Sequence, residues 1–72
     1  MPKWPVVSGE QAIKALEPLG FNRVRQRGSH VVVRQGATGT EVPLHRELEA
    51  GTLAGILRQA EVDVVAFIAA ID

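Results

Sequence analysis

The spacing of apolar residues changes twice along the chain. Ala12, Ile13, Leu16 and Leu19 recur at the intervals of one helical face. Ser8 stands where an N-cap is needed, and Gln11, three residues on, completes a capping-box pattern. Pro18 lacks the amide donor that would continue the helix. Gly20 suits the position just past its end. Ahead of the helix, Pro2 and Pro5 disfavour regular structure, so residues 1–7 read as an arm.

From residue 21 the period shortens to two. Residues 21–27, 30–35 and 40–45 predict three strands. Gly28-Ser29 is a glycine-first hairpin turn, and residues 36–39, with glycine at both ends, predict the second turn. Pro43 places the third strand at an edge or where no donor is needed. With these turns, Arg27 opposes His30, Arg25 opposes Val32, Val24 opposes Val33 and Arg23 opposes Arg34. Across the second hairpin, Arg34 opposes Glu41, Val33 opposes Val42, Val31 opposes Leu44 and His30 opposes His45. Directly opposed residues share a face. One face then collects Val24, Val31, Val33, Val42 and Leu44 as a core. The other collects Arg23, Arg25, Arg27, His30, Arg34, Glu41 and His45.

After a loop at 46–50 the helical period returns. Gly51-Thr52 opens a helix with Leu53, Ile56, Leu57 and Ala60 on one face. Asp63 caps a last helix carrying Val64, Phe67, Ile68 and Ile71. The predicted fold class is α+β: a three-stranded antiparallel sheet with helices on one face. The 72 residues have room for a single domain, 1–72. The apolar run at 64–71 exceeds what one buried face requires. Some of its residues are left for a partner subunit, as in a homodimer.

Composition narrows the setting. There is no cysteine, so neither a disulfide nor a thiolate metal site can staple the fold. The absence fits a reducing compartment, and the eight-residue apolar run is far short of the ~20 residues a membrane-spanning helix needs. The expectation is a cytoplasmic protein with no membrane partner. The formal net charge is zero, yet the charges are sorted. Residues 21–46 hold five arginines against Glu41 alone, whereas residues 47–72 hold five carboxylates against Arg58 alone. A basic middle segment suits a polyanion such as nucleic acid, or else a solvated face paired within the molecule.

His30 sits among those arginines. Histidine, with an unperturbed pKa of about 6.5, gives and takes protons near neutrality. Cutting RNA through its own 2′-hydroxyl needs a base for that hydroxyl and an acid for the leaving oxygen. Arginines nearby bind phosphate and stabilise charge growing at phosphorus. Gly28 lets backbone approach a ligand closely, and Ser29 can donate to a phosphate. His45 is the second candidate for acid or base. His30 also fits an ordinary surface position, His45 also fits a strand end bonded to the following loop, and the arginine row also fits edge protection of a sheet. There is no phosphate loop with lysine, no Cys/His ligand spacing and no paired acidic cluster for magnesium. This argues against metal-dependent nuclease chemistry.

In order, these pieces resemble the HicA, or YcfA-like, family of mRNA interferase toxins. The resemblance rests on Pro5-Val6-Val7-Ser8-Gly9-Glu10, on Leu19-Gly20-Phe21 with Arg25-Gln26-Arg27-Gly28-Ser29-His30, on Val42-Pro43-Leu44-His45-Arg46-Glu47-Leu48, and on Gly51-Thr52-Leu53 with Ile56-Leu57-Arg58-Gln59-Ala60. It implies a double-stranded-RNA-binding-domain-like fold with an extra C-terminal helix. It implies a toxin of a type II toxin–antitoxin system, an endoribonuclease acting on mRNA, with the histidine of Gly-Ser-His, here His30, essential. It implies a HicB-type antitoxin as partner, masking the active site, and no metal or organic cofactor. Glu61 departs from the pattern, because the family usually has glycine between its last two helices.

On this reading His30 and His45 are the catalytic candidates, and Arg23, Arg25, Arg27, Gly28 and Ser29 are the RNA-binding candidates. The alternatives are a noncatalytic RNA-binding module of the same fold and a protein-interaction domain presenting its last helix.

Overall fold

The computed structural model describes residues 4–71; Pro2 and the start of the arm, and Asp72, lie outside them. Helix α1 spans Gly9–Leu16 and runs into a 3-10 turn at Glu17–Leu19. Strands β1 (Asn22–Arg27), β2 (His30–Gln35) and β3 (Thr38–Pro43) follow, then helices α2 (Ala50–Ala60) and α3 (Val64–Ala70). The strands form one open antiparallel sheet in the order β1-β2-β3. The α1-β1-β2-β3-α2 order, with helices on one sheet face, is a double-stranded-RNA-binding-domain-like arrangement, and α3 is added to it. Among the described residues, no helix is long and apolar enough to cross a membrane.

Local chemistry sets the element ends. The Gln11 amide donates to Ser8 Oγ at 3.0 Å and the Ser8 amide donates to Gln11 Oε1 at 2.8 Å, closing the capping box. Gly20, at φ +104°, releases the chain into β1 in a left-handed conformation that favours glycine. The Asp63 carboxylate accepts the Val65 amide at 3.0 Å and caps α3. Helix α2 ends in a Schellman motif: the Glu61 amide bonds to the Arg58 carbonyl and the Val62 amide to the Leu57 carbonyl. Glu61 occupies the left-handed position of that motif at φ +57°.

One core joins the two layers. Val31, Val33 and Val42 supply the sheet side, Ile13 and Leu16 come from α1, Leu53, Ile56 and Leu57 from α2, and Phe67 from α3. Phe21, just before β1, is buried among them. Thr40 is also buried on β3, and its hydroxyl donates to Gln59 Oε1 of α2 at 2.9 Å. The helices cover β2 and β3 but leave β1 exposed along its length. On α3, Val65, Ala66 and Ala69 stay exposed.

Two details of register differ from the sequence expectation. The second turn is Gly36-Ala37, not 36–39, so every partner on β3 moves by two residues. Its physical basis is Gly36 at φ +60°, the conformation a two-residue glycine-first turn needs. A two-residue slip keeps each side chain on its face, so the core valines are unaffected. It does change neighbours: His30 opposes Pro43 rather than His45, and Arg34 opposes Gly39 rather than Glu41. In addition, β1 carries a bulge between Arg23 and Arg25. Val24 is therefore not a core residue but 54% exposed. Arg23 moves opposite the buried Val33 and so onto the helix side of the sheet.

Candidate nucleic-acid interface

The sheet face away from the helices forms three rows. Arg27, His30 and Pro43 make the first, Arg25, Val32 and Glu41 the second, and Asn22, Arg34 and Gly39 the third. Arg25, Arg27, Arg34 and His30 are all exposed. Among the described residues none of the three arginines has a carboxylate within ion-pair distance. Glu41 lies diagonally from His30, and its Oε1 stands 3.4 Å from His30 Nδ1. Both side chains are about half exposed, at 50% and 53%, so water screens this contact.

The hairpin tip is held in place from two sides. Gln26 Nε2 donates to the Gly28 carbonyl at 2.9 Å, and the Leu44 amide donates to the Ser29 carbonyl at 2.7 Å. Gly28 has φ +58°, and a Cβ added there would meet nothing within 4 Å. Its glycine is needed for backbone conformation, and the space around it is open to a ligand. His45 lies just past β3 in the loop, one residue beyond Leu44, and is exposed. Its carbonyl accepts the Gly9 amide at 2.9 Å.

Arg23 does not join Arg25 and Arg27. Its guanidinium donates to Glu10 of α1 and lies 3.8 Å from Glu17. The hydrogen bond to Glu10 raises its pKa above the ordinary guanidinium value; desolvation opposes this, and the charges of Glu10 and Glu17 add to the rise. The expected row of three arginines is thus two on β1, with Arg34 of β2 added.

Two concavities of similar size flank the layers. One, of about 240 Å³, lies between α1 and α3 and is lined by Gln11, Lys14, Ala15, Ala70 and Ile71. The other, of about 290 Å³, lies at the β2–β3 turn end and is lined by Val32, Arg34, Ala37, Gly39 and Thr40. The second touches the basic face at Arg34, but neither is lined by His30, Arg25 or Arg27, so the candidate site is the open sheet face itself. Among the described residues, no three His, Asp or Glu side chains gather as metal ligands would.

A family model described as the HicA toxin of bacterial toxin–antitoxin systems matches residues 9–62. The chain belongs to the HicA toxin family. The match takes in α1, the whole sheet and α2, and stops at Val62, so α3 lies beyond it. A comparison with curated proteins finds none that matches. That family is the toxin side of bacterial toxin–antitoxin systems, which supports a toxin role for the chain and suggests an antitoxin as its partner.

Within this HicA-family sheet, two residues escape the sequence reading. Glu41 is assigned to Arg34 by a four-residue turn but stands beside His30. Arg34, expected to be paired, is left on the open face. The available signal is Gly36-Ala37, which repeats the glycine-first pattern of Gly28-Ser29 and sets the two-residue register.

Proposed function

We propose that this HicA-family toxin is an endoribonuclease that cuts mRNA without a metal ion, with His30 as its general acid or base. The observation that supports this reading is the setting of His30. A half-exposed imidazole lies directly opposite Arg27, with a carboxylate 3.4 Å from one ring nitrogen. Such a face binds a phosphodiester through charge-assisted hydrogen bonds and puts a proton acceptor beside it.

In the proposed reaction, Arg25 and Arg27 hold the phosphate flanking the cut, with the Ser29 hydroxyl and the open backbone at Gly28 beside them. His30 takes the proton of the 2′-hydroxyl. The 2′ oxygen bonds to phosphorus and the bond to the 5′ oxygen breaks. The products are a 2′,3′-cyclic phosphate and a 5′-hydroxyl end. The leaving oxygen takes its proton from a second acid, for which His45 is the candidate. Arginine charge offsets the negative charge growing on phosphorus. The partner that silences the toxin is proposed to be a HicB-type antitoxin covering this face.

The test is an end-labelled RNA with a single 2′-deoxy substitution at a mapped cut. The reading expects that cut alone to vanish and the remaining products to carry cyclic phosphates. Cutting at the deoxy position would contradict the mechanism.

A further inference from the structure

The proposed reaction leaves open which nitrogen of His30 meets the RNA. Glu41 bears on this. It is the one carboxylate among the described residues of the outer sheet rows, which also carry Arg25, Arg27 and Arg34. It nevertheless stands within ion-pair distance of the imidazole and of none of these guanidinium groups. Pro43, directly opposite His30, has no polar side chain to compete for the ring.

We infer that Glu41 is a positioning residue that holds the ring proton of His30 on Nδ1 and presents the Nε2 lone pair to the substrate. The inference rests on the reaction proposed above. A neutral imidazole carries one donor and one acceptor nitrogen, whereas an ionised carboxylate only accepts. A carboxylate facing Nδ1 therefore favours the tautomer with hydrogen there. Nε2 then receives the 2′-hydroxyl proton, and the same carboxylate faces the imidazolium that results. Diagonal neighbours on paired strands lie within reach of long side chains, so the geometry needs no movement of backbone.

The test uses the full chain, parent beside Glu41→Gln and Glu41→Asp. Nitrogen NMR of the neutral His30 ring reports the tautomer without reference to activity. The parent is expected to favour Nδ1–H, Glu41→Gln to lose that preference and Glu41→Asp to retain part of it. In RNA cleavage, Glu41→Gln is expected to lower kcat on the order of tenfold with KM unchanged. Partial recovery is expected in Glu41→Asp. The same tautomer in parent and Glu41→Gln would overturn the inference, whatever the activity. A parent that leaves RNA intact but shows the tautomer change would instead overturn the cleavage reading and keep the pair.

Discussion

Gly9, the first residue of α1, lies against the Pro43 carbonyl oxygen with no room for a side chain. A Cβ added there would overlap that oxygen and come within 2.9 Å of the Leu44 Cα. Both obstacles are backbone, so neither can swing aside. The contact seats the start of α1 on the end of β3, at the residue that opposes His30. Gly9→Ala is expected to destabilise the fold by about 1–3 kcal/mol. Urea unfolding would show a lower midpoint at unchanged slope.

The bulge in β1 separates two valines that the alternating pattern would treat alike. Val33 is 1% exposed and Val24 54% exposed. Val33→Asp puts a charge into the core and is expected to leave the chain unfolded by circular dichroism. Val24→Asp is expected to shift stability by no more than about 0.5 kcal/mol. Equal damage from both would place Val24 back in the core and remove the bulge.

Glu61 is the one non-glycine residue with positive φ among the described residues. A side chain in this conformation costs roughly 1–2 kcal/mol, and glycine gives part of that back as extra freedom in the unfolded chain. Glu61→Gly is expected to stabilise the protein by about 0.5–1 kcal/mol. Calorimetry should show a higher Tm; a lower Tm would mean that the Glu61 side chain makes a stabilising contact.

RNA binding should distinguish the arginines by face. Arg25→Ala and Arg27→Ala are each expected to weaken binding and lower the slope of log affinity against log salt by about one. Arg23→Ala is expected to leave that slope alone, because Arg23 is held on the helix side by Glu10 and Glu17. Its half-exposed pairs contribute at most about 1 kcal/mol to stability. A drop in slope for Arg23→Ala would return it to the interface.

What could be read from the chain follows from how local each interaction is. The Ser8–Gln11 capping box, the Pro18 stop, the Gly28-Ser29 turn and the Asp63 cap all lie within a few residues, and each stands as its residues predict. The α2 face reads correctly because Leu53, Ile56, Leu57 and Ala60 keep helical spacing. Gly39 misleads, since glycine at 36 and 39 suggests a four-residue turn. Its role is instead to make room, because a Cβ there would lie 2.9 Å from Arg34 Cγ. The bulge has no local signature: Val24 has the polarity of a core residue, and only packing across the sheet expels it. Arg27 opposite His30 and Arg25 opposite Val32 stand as the Gly28-Ser29 turn predicts, whereas the β3 neighbours of His30 hinge on the second turn and are not legible. The family resemblance singles out Glu61, and the left-handed backbone there supplies the physical reason.

The central claim is that His30 cuts RNA without metal. The direct measurement is cleavage of a labelled single-stranded RNA in EDTA by purified, antitoxin-free protein, beside His30→Ala shown to be folded. The account predicts cleavage by the parent and at least about a hundredfold loss in the variant. Equal cleavage by both proteins, or intact RNA with both, would contradict it.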